Sequence, residues 1–120
     1  MKNVLIASER TEIAKLFELL LRQQDRQFVS AKSLTQCLEQ ADKSGPALIL
    51  IDTTLAEPQA CLKTLARLKE SAATSRIPVY LIGNLEQENR EEQQLRELAE
   101  GLFTEPLNLA EIKKVAQKHL

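Results

Sequence analysis

Short apolar runs alternate five times with longer segments of helical period, and this order predicts an α/β domain. The expected form is a (βα)5 doubly wound fold: right-handed crossovers, a five-stranded parallel sheet and helices on both faces. Two observations carry the prediction. "VLIA" (4–7) and "ALILI" (47–51) show no polar alternation, as strands covered on both faces should. Between them Ile13, Leu16, Phe17, Leu20 and Leu21 recur at i, i+3, i+4, i+7 and i+8, which is one face of a helix.

The remaining elements follow in order. "QFVSA" (27–31) is a weaker second strand. Ser33, with Gln36 three residues on, forms a capping-box start for a helix carrying Leu34, Leu38 and Ala41, and "SGP" (44–46) stops it. Pro58 suits the first turn of a third helix, with Leu62, Leu65, Ala66 and Lys69 in step. "PVYLIG" (78–83) is a fourth strand whose proline sits at the first residue, where a missing N–H is tolerated. Residues 86–100 form a charged helix with Leu95, Leu98 and Ala99 as its inward candidates. "GLFT" (101–104) is a short fifth strand. Asn108 and Glu111 then start a last helix with Ile112, Val115 and Ala116 on its apolar side.

The bulk numbers exclude several classes. At 120 residues the chain is expected to form one domain over 1–120, without repeats, linkers or low-complexity tails. Its 43% hydrophobic and 28% charged residues are an ordinary folded balance. Sixteen basic and seventeen acidic residues leave a net charge of −1, so nothing favours nucleic acid or a membrane surface as partner. The longest apolar run, 46–51, is far too short to span a bilayer. Residues 1–8 lack the apolar core of a signal peptide, so a cytoplasmic protein is expected. Cys37 and Cys61 have neither CxxC spacing nor histidine companions and are read as two reduced thiols on helices. His119, the only histidine, is penultimate; fraying is expected there, and no catalytic role.

In an open parallel sheet, ligands bind beyond the carboxyl ends of the strands, where strand order reverses. The residues to read are therefore Ser8, Glu9 and Arg10; Asp52, Thr53 and Thr54; Gly83 and Asn84; and Glu105 and Pro106. Glu9, Asp52 and Glu105 are placed to converge. Three carboxylates together repel and raise one another's pKa unless a cation joins them. Mg2+ or Ca2+ suits such oxygen donors, and Arg10 is the alternative source of positive charge.

The whole chain resembles the receiver domain of bacterial two-component response regulators. The resemblance rests on "KNVLIASER" (2–10), "PALILID" (46–52), "RIPVYLIGN" (76–84) and "GLFTEPL" (101–107), in that order and spacing. It implies the flavodoxin-like receiver fold and makes Asp52 the candidate phosphoacceptor for a partner histidine kinase. It also makes Glu9, Asp52 and the Thr54 backbone carbonyl a candidate Mg2+ site, and it implies a cis-type turn at the proline of "TEPL".

The chain departs from the family at the positions that do the chemistry. Ser8 replaces one of the paired acidic residues. Gly83 stands at the switch hydroxyl, Glu105 at the lysine and Leu102 at the switch aromatic. Ala56 and Ala60 hold positions usually taken by proline and glycine, with Pro58 between them. Phosphoryl transfer depends mostly on positioning and charge neutralisation, and losing one preorganised donor costs roughly a hundredfold. The favoured reading is thus a pseudo-receiver: no enzyme, signalling by protein–protein contact, with the 84–116 surface and its charged "LEQENREEQQLRELAEG" facing a histidine kinase or other signalling protein. The alternative is a Mg2+-dependent phosphoacceptor in which Arg10 partly replaces the lost lysine. A third reading, an unrelated small-molecule or enzymatic role on the same fold, is disfavoured. The three glycines make no GxGxxG or P-loop, and no Ser–His or Cys–His pair is available.

Overall fold

A computed structural model describes residues 2–22, 26–85 and 89–120. The strands are β1 (Lys2–Ala7), β2 (Arg26–Ala31), β3 (Leu48–Asp52), β4 (Val79–Ile82) and β5 (Gly101–Phe103). The helices are α1 (Thr11–Leu21), α2 (Leu34–Ser44), α3 (Pro58–Glu70), α4 (Arg90–Leu98) and α5 (Leu109–His119), with a 3-10 turn at Thr53–Leu55 before α3. All strand pairs are parallel and the sheet order is β2-β1-β3-β4-β5. The predicted (βα)5 doubly wound architecture is the one observed. Strand order reverses between β1 and β3, so the ends of those two strands flank the crevice where such sheets bind ligands.

The sheet's pleat sorts the core into two layers. Leu5, Ala7, Ile49, Ile51, Val79 and Leu81 meet α2, α3 and α4 through Cys37, Ala41, Cys61, Leu65, Leu68 and Leu95. Val4, Ile6, Leu48, Leu50, Tyr80 and Ile82 meet α1 and α5 through Ile13, Phe17, Leu21, Ile112 and Ala116. Every residue of β3 and β4 is buried, which is why neither strand could afford polar alternation. β2 lies at an edge and has a mixed pattern, in keeping with its weaker sequence signal.

Local signals set the helix ends. The Ser33 hydroxyl accepts from the Gln36 N–H at 3.1 Å, while the Gln36 side chain accepts from Lys32 N–H at 2.8 Å, one residue earlier than a reciprocal capping box would have it. Gly45 ends α2 at φ 53°, in the left-handed region that glycine tolerates best. Pro58 opens α3, and Asn108 Oδ1 accepts from Ala110 N–H at 2.9 Å and Glu111 N–H at 3.3 Å.

Three expectations are corrected. The buried stripe of α3 is Cys61, Thr64, Leu65 and Leu68, with Leu62 and Ala66 on its flanks; a threonine inside the stripe disguised its phase. Residues 86–88 of the predicted fourth helix lie outside the described residues. That helix is seen from Arg90, Asn89 Oδ1 accepting from Glu92 N–H at 3.1 Å, and it is anchored by Leu95, while Leu98 at its end is 39% exposed. His119 is the last residue of α5 and has a partner. Its Nε2 lies 2.9 Å from the Tyr80 hydroxyl, and the two rings meet edge to face with centroids 5.5 Å apart. Tyr80 in turn stacks on Phe103, which packs against Phe17 at 5.6 Å.

Phe17 is fully buried in this aromatic layer, whereas Leu19, on the same helix, is 67% exposed. Phe17→Ala is expected to lower stability by about 3–5 kcal/mol. Leu19→Ala should stay within about 0.5 kcal/mol of the parent. Urea unfolding midpoints at unchanged slope measure both.

Candidate functional site

Asp52 is the last residue of β3 and is wholly buried. A buried carboxylate needs a donor for each lone pair, and five donors surround this one. Arg10 binds it in bidentate fashion, Nε to Oδ2 at 2.7 Å and Nη2 to Oδ1 at 3.0 Å. The Ser8 hydroxyl donates to Oδ2 at 2.7 Å. The Thr54 N–H and hydroxyl donate to Oδ1 at 3.0 and 2.7 Å, as the chain turns into its 3-10 segment.

The guanidinium also reaches across the crevice to the loop after β5. Arg10 Nη1 donates to Glu105 Oε2 at 3.1 Å, and Nη2 lies 2.8 Å from Oε1. Arg10 and Glu105 keep about 28% and 31% of their side-chain surface exposed. Ser8 Oγ accepts the Arg10 N–H at 3.0 Å, which fixes the loop that carries the arginine. Glu105 N–H donates to Asn84 Oδ1 at 3.1 Å, joining the β4 and β5 loops behind the cluster, and the Glu105–Pro106 peptide is cis.

The electrostatics follow from this geometry. Burial pushes the Asp52 carboxyl upward, but Arg10, the Thr54 N–H, Ser8 and the Thr54 hydroxyl together outweigh it and hold the group below the usual aspartate range. The Arg10 guanidinium is raised above its ordinary value, first by its bond to Asp52 and then by that to Glu105. One cation sits between two anions.

Sequence reasoning gathered the right strand ends but could not assign partners. The structure brings together Ser8, Arg10, Asp52, Thr54 and Glu105. Glu9 is exposed and outside the cluster, so Glu9, Asp52 and Glu105 do not meet as three carboxylates. Thr54 enters as a double donor to Asp52, a role distinct from lending a carbonyl to a metal. These residues do not fit a divalent cation as arranged. The Asp52 oxygens already receive five N–H and O–H groups, and among the described residues no three His, Cys, Asp or Glu side chains are grouped to hold a metal ion.

Thr53 was missed. Its hydroxyl donates to Ile82 O at 3.2 Å and fills the space a Gly83 side chain would need: a Cβ there would collide with Thr53 Oγ1. Gly83 also has φ 145°, a conformation that side chains rarely adopt. The signal was the pairing of a hydroxyl after β3 with a glycine after β4. Leu102 packs into the α2–α3–α4 layer, and the β5 aromatic, Phe103, faces the opposite side of the sheet. Both thiols are buried and form no disulfide, and burial pushes Cys37 up to about 12 and Cys61 upward, which disfavours the nucleophilic thiolate in each.

Because the folded Asp52 carboxyl lies below its unfolded value of about 3.9, the cluster stabilises the fold at neutral pH and loses that contribution as pH falls through the folded value. The stability difference between wild type and Asp52→Asn should be constant from pH 7 to about pH 4 and shrink below it. Arg10→Ala, which strands the buried carboxylate, should cost about 3 kcal/mol at pH 7, the low end for breaking a buried pair because Arg10 retains water contact. Gly83→Ala should cost about 1–3 kcal/mol through its backbone alone. Part of any excess should be recovered in the Thr53→Ala, Gly83→Ala double variant, measured as a cycle.

No family model matches the sequence, and no curated protein does. Solved structures do match. The signal receiver domain of a histidine kinase from Syntrophus aciditrophicus superposes with a TM-score of 0.82 at 18% identity, over 100% of this chain and 90% of that one. Vibrio cholerae chemotaxis protein CheY4 gives 0.79 at 17%, over 100% and 99%. The receiver domain of the Pseudomonas aeruginosa sensor kinase PA1611, which has a magnesium ion coordinated in its active-site cleft, gives 0.78 at 13%, over 98% and 96%. At such identities the likeness is one of architecture: the chain has the fold of response-regulator receiver domains.

Proposed function

We propose that this domain is a pseudo-receiver of two-component type, which signals by protein–protein contact while its Asp52 site serves as a fixed ion cluster. The observation that carries this reading is the set of five donors on Asp52. A carboxylate offers about four lone-pair sites. To attack a phosphoryl group, Asp52 would have to shed donors and emerge from a position of no solvent exposure. The group so formed would then stand beside Glu105, with no lysine from the β5 loop to neutralise it and no hydroxyl on Gly83 to report it.

The contact surface proposed is the 84–116 face of α4, β5 and α5. Leu98 and Leu109, two of the three large apolar side chains exposed among the described residues, lie in this segment. Tyr80, Leu102, Phe103, Glu111, Lys114 and Val115 line a shallow groove of about 270 Å³ along β5. The partner would be a histidine kinase or another signalling protein, met in the cytoplasm; no described helix is long and apolar enough to cross a membrane.

Intact-protein mass spectrometry after incubation with acetyl phosphate, with and without Mg2+, tests the reading. The expected result is no phosphoryl gain under conditions that label an ordinary receiver. A Mg2+-dependent gain of one phosphoryl group, absent in Asp52→Asn, would establish the alternative, a phosphoacceptor served by a histidine kinase. Partner capture should survive Asp52→Asn and be lost when Glu91 and Arg96 are reversed in charge.

A further inference from the structure

We infer that Arg10 is a built-in counter-cation that closes the Asp52 site to divalent metal, and that Glu105 is the residue that holds it in place. The inference deepens the pseudo-receiver reading and rests on it. A divalent ion at the end of β3 would need lone pairs of Asp52 turned towards it, with further oxygens around it. In this chain Oδ2 faces two donors and Oδ1 faces three, so an approaching cation meets N–H and O–H groups instead. It also meets a guanidinium whose own charge repels it.

The arginine is held at both ends. Its Nε and Nη2 grip Asp52, and its Nη1 and Nη2 grip Glu105, which comes from another loop and is itself tied to Asn84. Ser8 supports the same placement, because its hydroxyl both accepts the Arg10 N–H and donates to Asp52. Glu105 stands on the solvent side of the pair, being 31% exposed against none for Asp52. Without Glu105 the guanidinium would keep its bidentate grip on Asp52 but would have no anion to stop it swinging outward. Arg10 is thus a positioning residue for the site, and Glu105 positions Arg10.

The experiment is a titration of the full chain with Mn2+, followed by paramagnetic broadening of the backbone amide signals of residues 8–10 and 52–54, with Mg2+ as competitor. Wild type should show no selective broadening there. Arg10→Asp, which replaces the cation with a carboxylate, should show it at Mn2+ concentrations lower by about a hundredfold or more, the scale of reversing a charge beside a divalent ion. If that variant does not fold, Arg10→Gln takes its place with the same expectation of selective broadening. Glu105→Gln should leave Asp52 buried but speed exchange of the Arg10 Nε–H with water.

Selective, Mg2+-competed broadening in wild type would overturn the inference, as would its absence in a folded Arg10 variant. Unchanged Nε–H exchange in Glu105→Gln would overturn the role given to Glu105. The two readings also fail separately. Acetyl phosphate labelling of wild type that is independent of Mg2+, absent in Asp52→Asn and unaccompanied by Mn2+ broadening overturns the pseudo-receiver and leaves the cation lock. Broadening without labelling does the reverse.

Discussion

A single guanidinium ties the ends of three strands together, and the site's geometry depends on that bridge. A parallel sheet gathers its strand-to-helix loops at the carboxyl ends of the strands, so a carboxylate placed where the strand order reverses has polar groups from several loops within reach. Asp52 carries its charge into that place, and burial works against the charged form. The charge persists because Arg10, Ser8 and Thr54 arrive from β1's loop and from the turn after β3. Replacing such a cluster by apolar residues of the same shape is often neutral for stability, so its contribution is better sought in geometry than in net free energy. It fixes the distance between the β1 and β5 loops, and through Asn84 that of the β4 loop as well.

The two sides of the sheet carry different commitments. Towards α1 and α5 the aromatic side chains Phe17, Tyr80 and Phe103 interlock, and His119 closes the row from the last turn of α5. Towards α2, α3 and α4 the packing is aliphatic, with two small buried thiols. Leu102 belongs to the second layer and Phe103 to the first, so the one aromatic residue of β5 is spent on the core.

Much of the fold was legible because β3 and β4 are buried on both faces and because caps such as Ser33, Asn108 and Gly45 act within a few residues of themselves. What was illegible depends on contacts distant in sequence. His119 looked free because its partner, Tyr80, is 39 residues away. The stripe of α3 was misphased because Thr64, a polar residue, takes one of its buried positions. At the site, the strand ends named the right loops, but neighbouring Glu9 and Arg10 compete for one inward direction, and only the backbone of the loop decides between them. Ser8 read as a lost acid; in place it is a donor that makes the arginine's position possible.

The pairing of Thr53 with Gly83 bears on how this domain could change over time. A side chain at position 83 is not gained in one step without strain, because Thr53 fills the space and the backbone is set for glycine. The threonine, for its part, is held by its bond to Ile82, so removing it first gains nothing. Exchange of both residues must pass through a less stable intermediate, and each residue thereby preserves the other. The arrangement works as a ratchet: the neighbouring sequences that cost least keep both the glycine and the threonine.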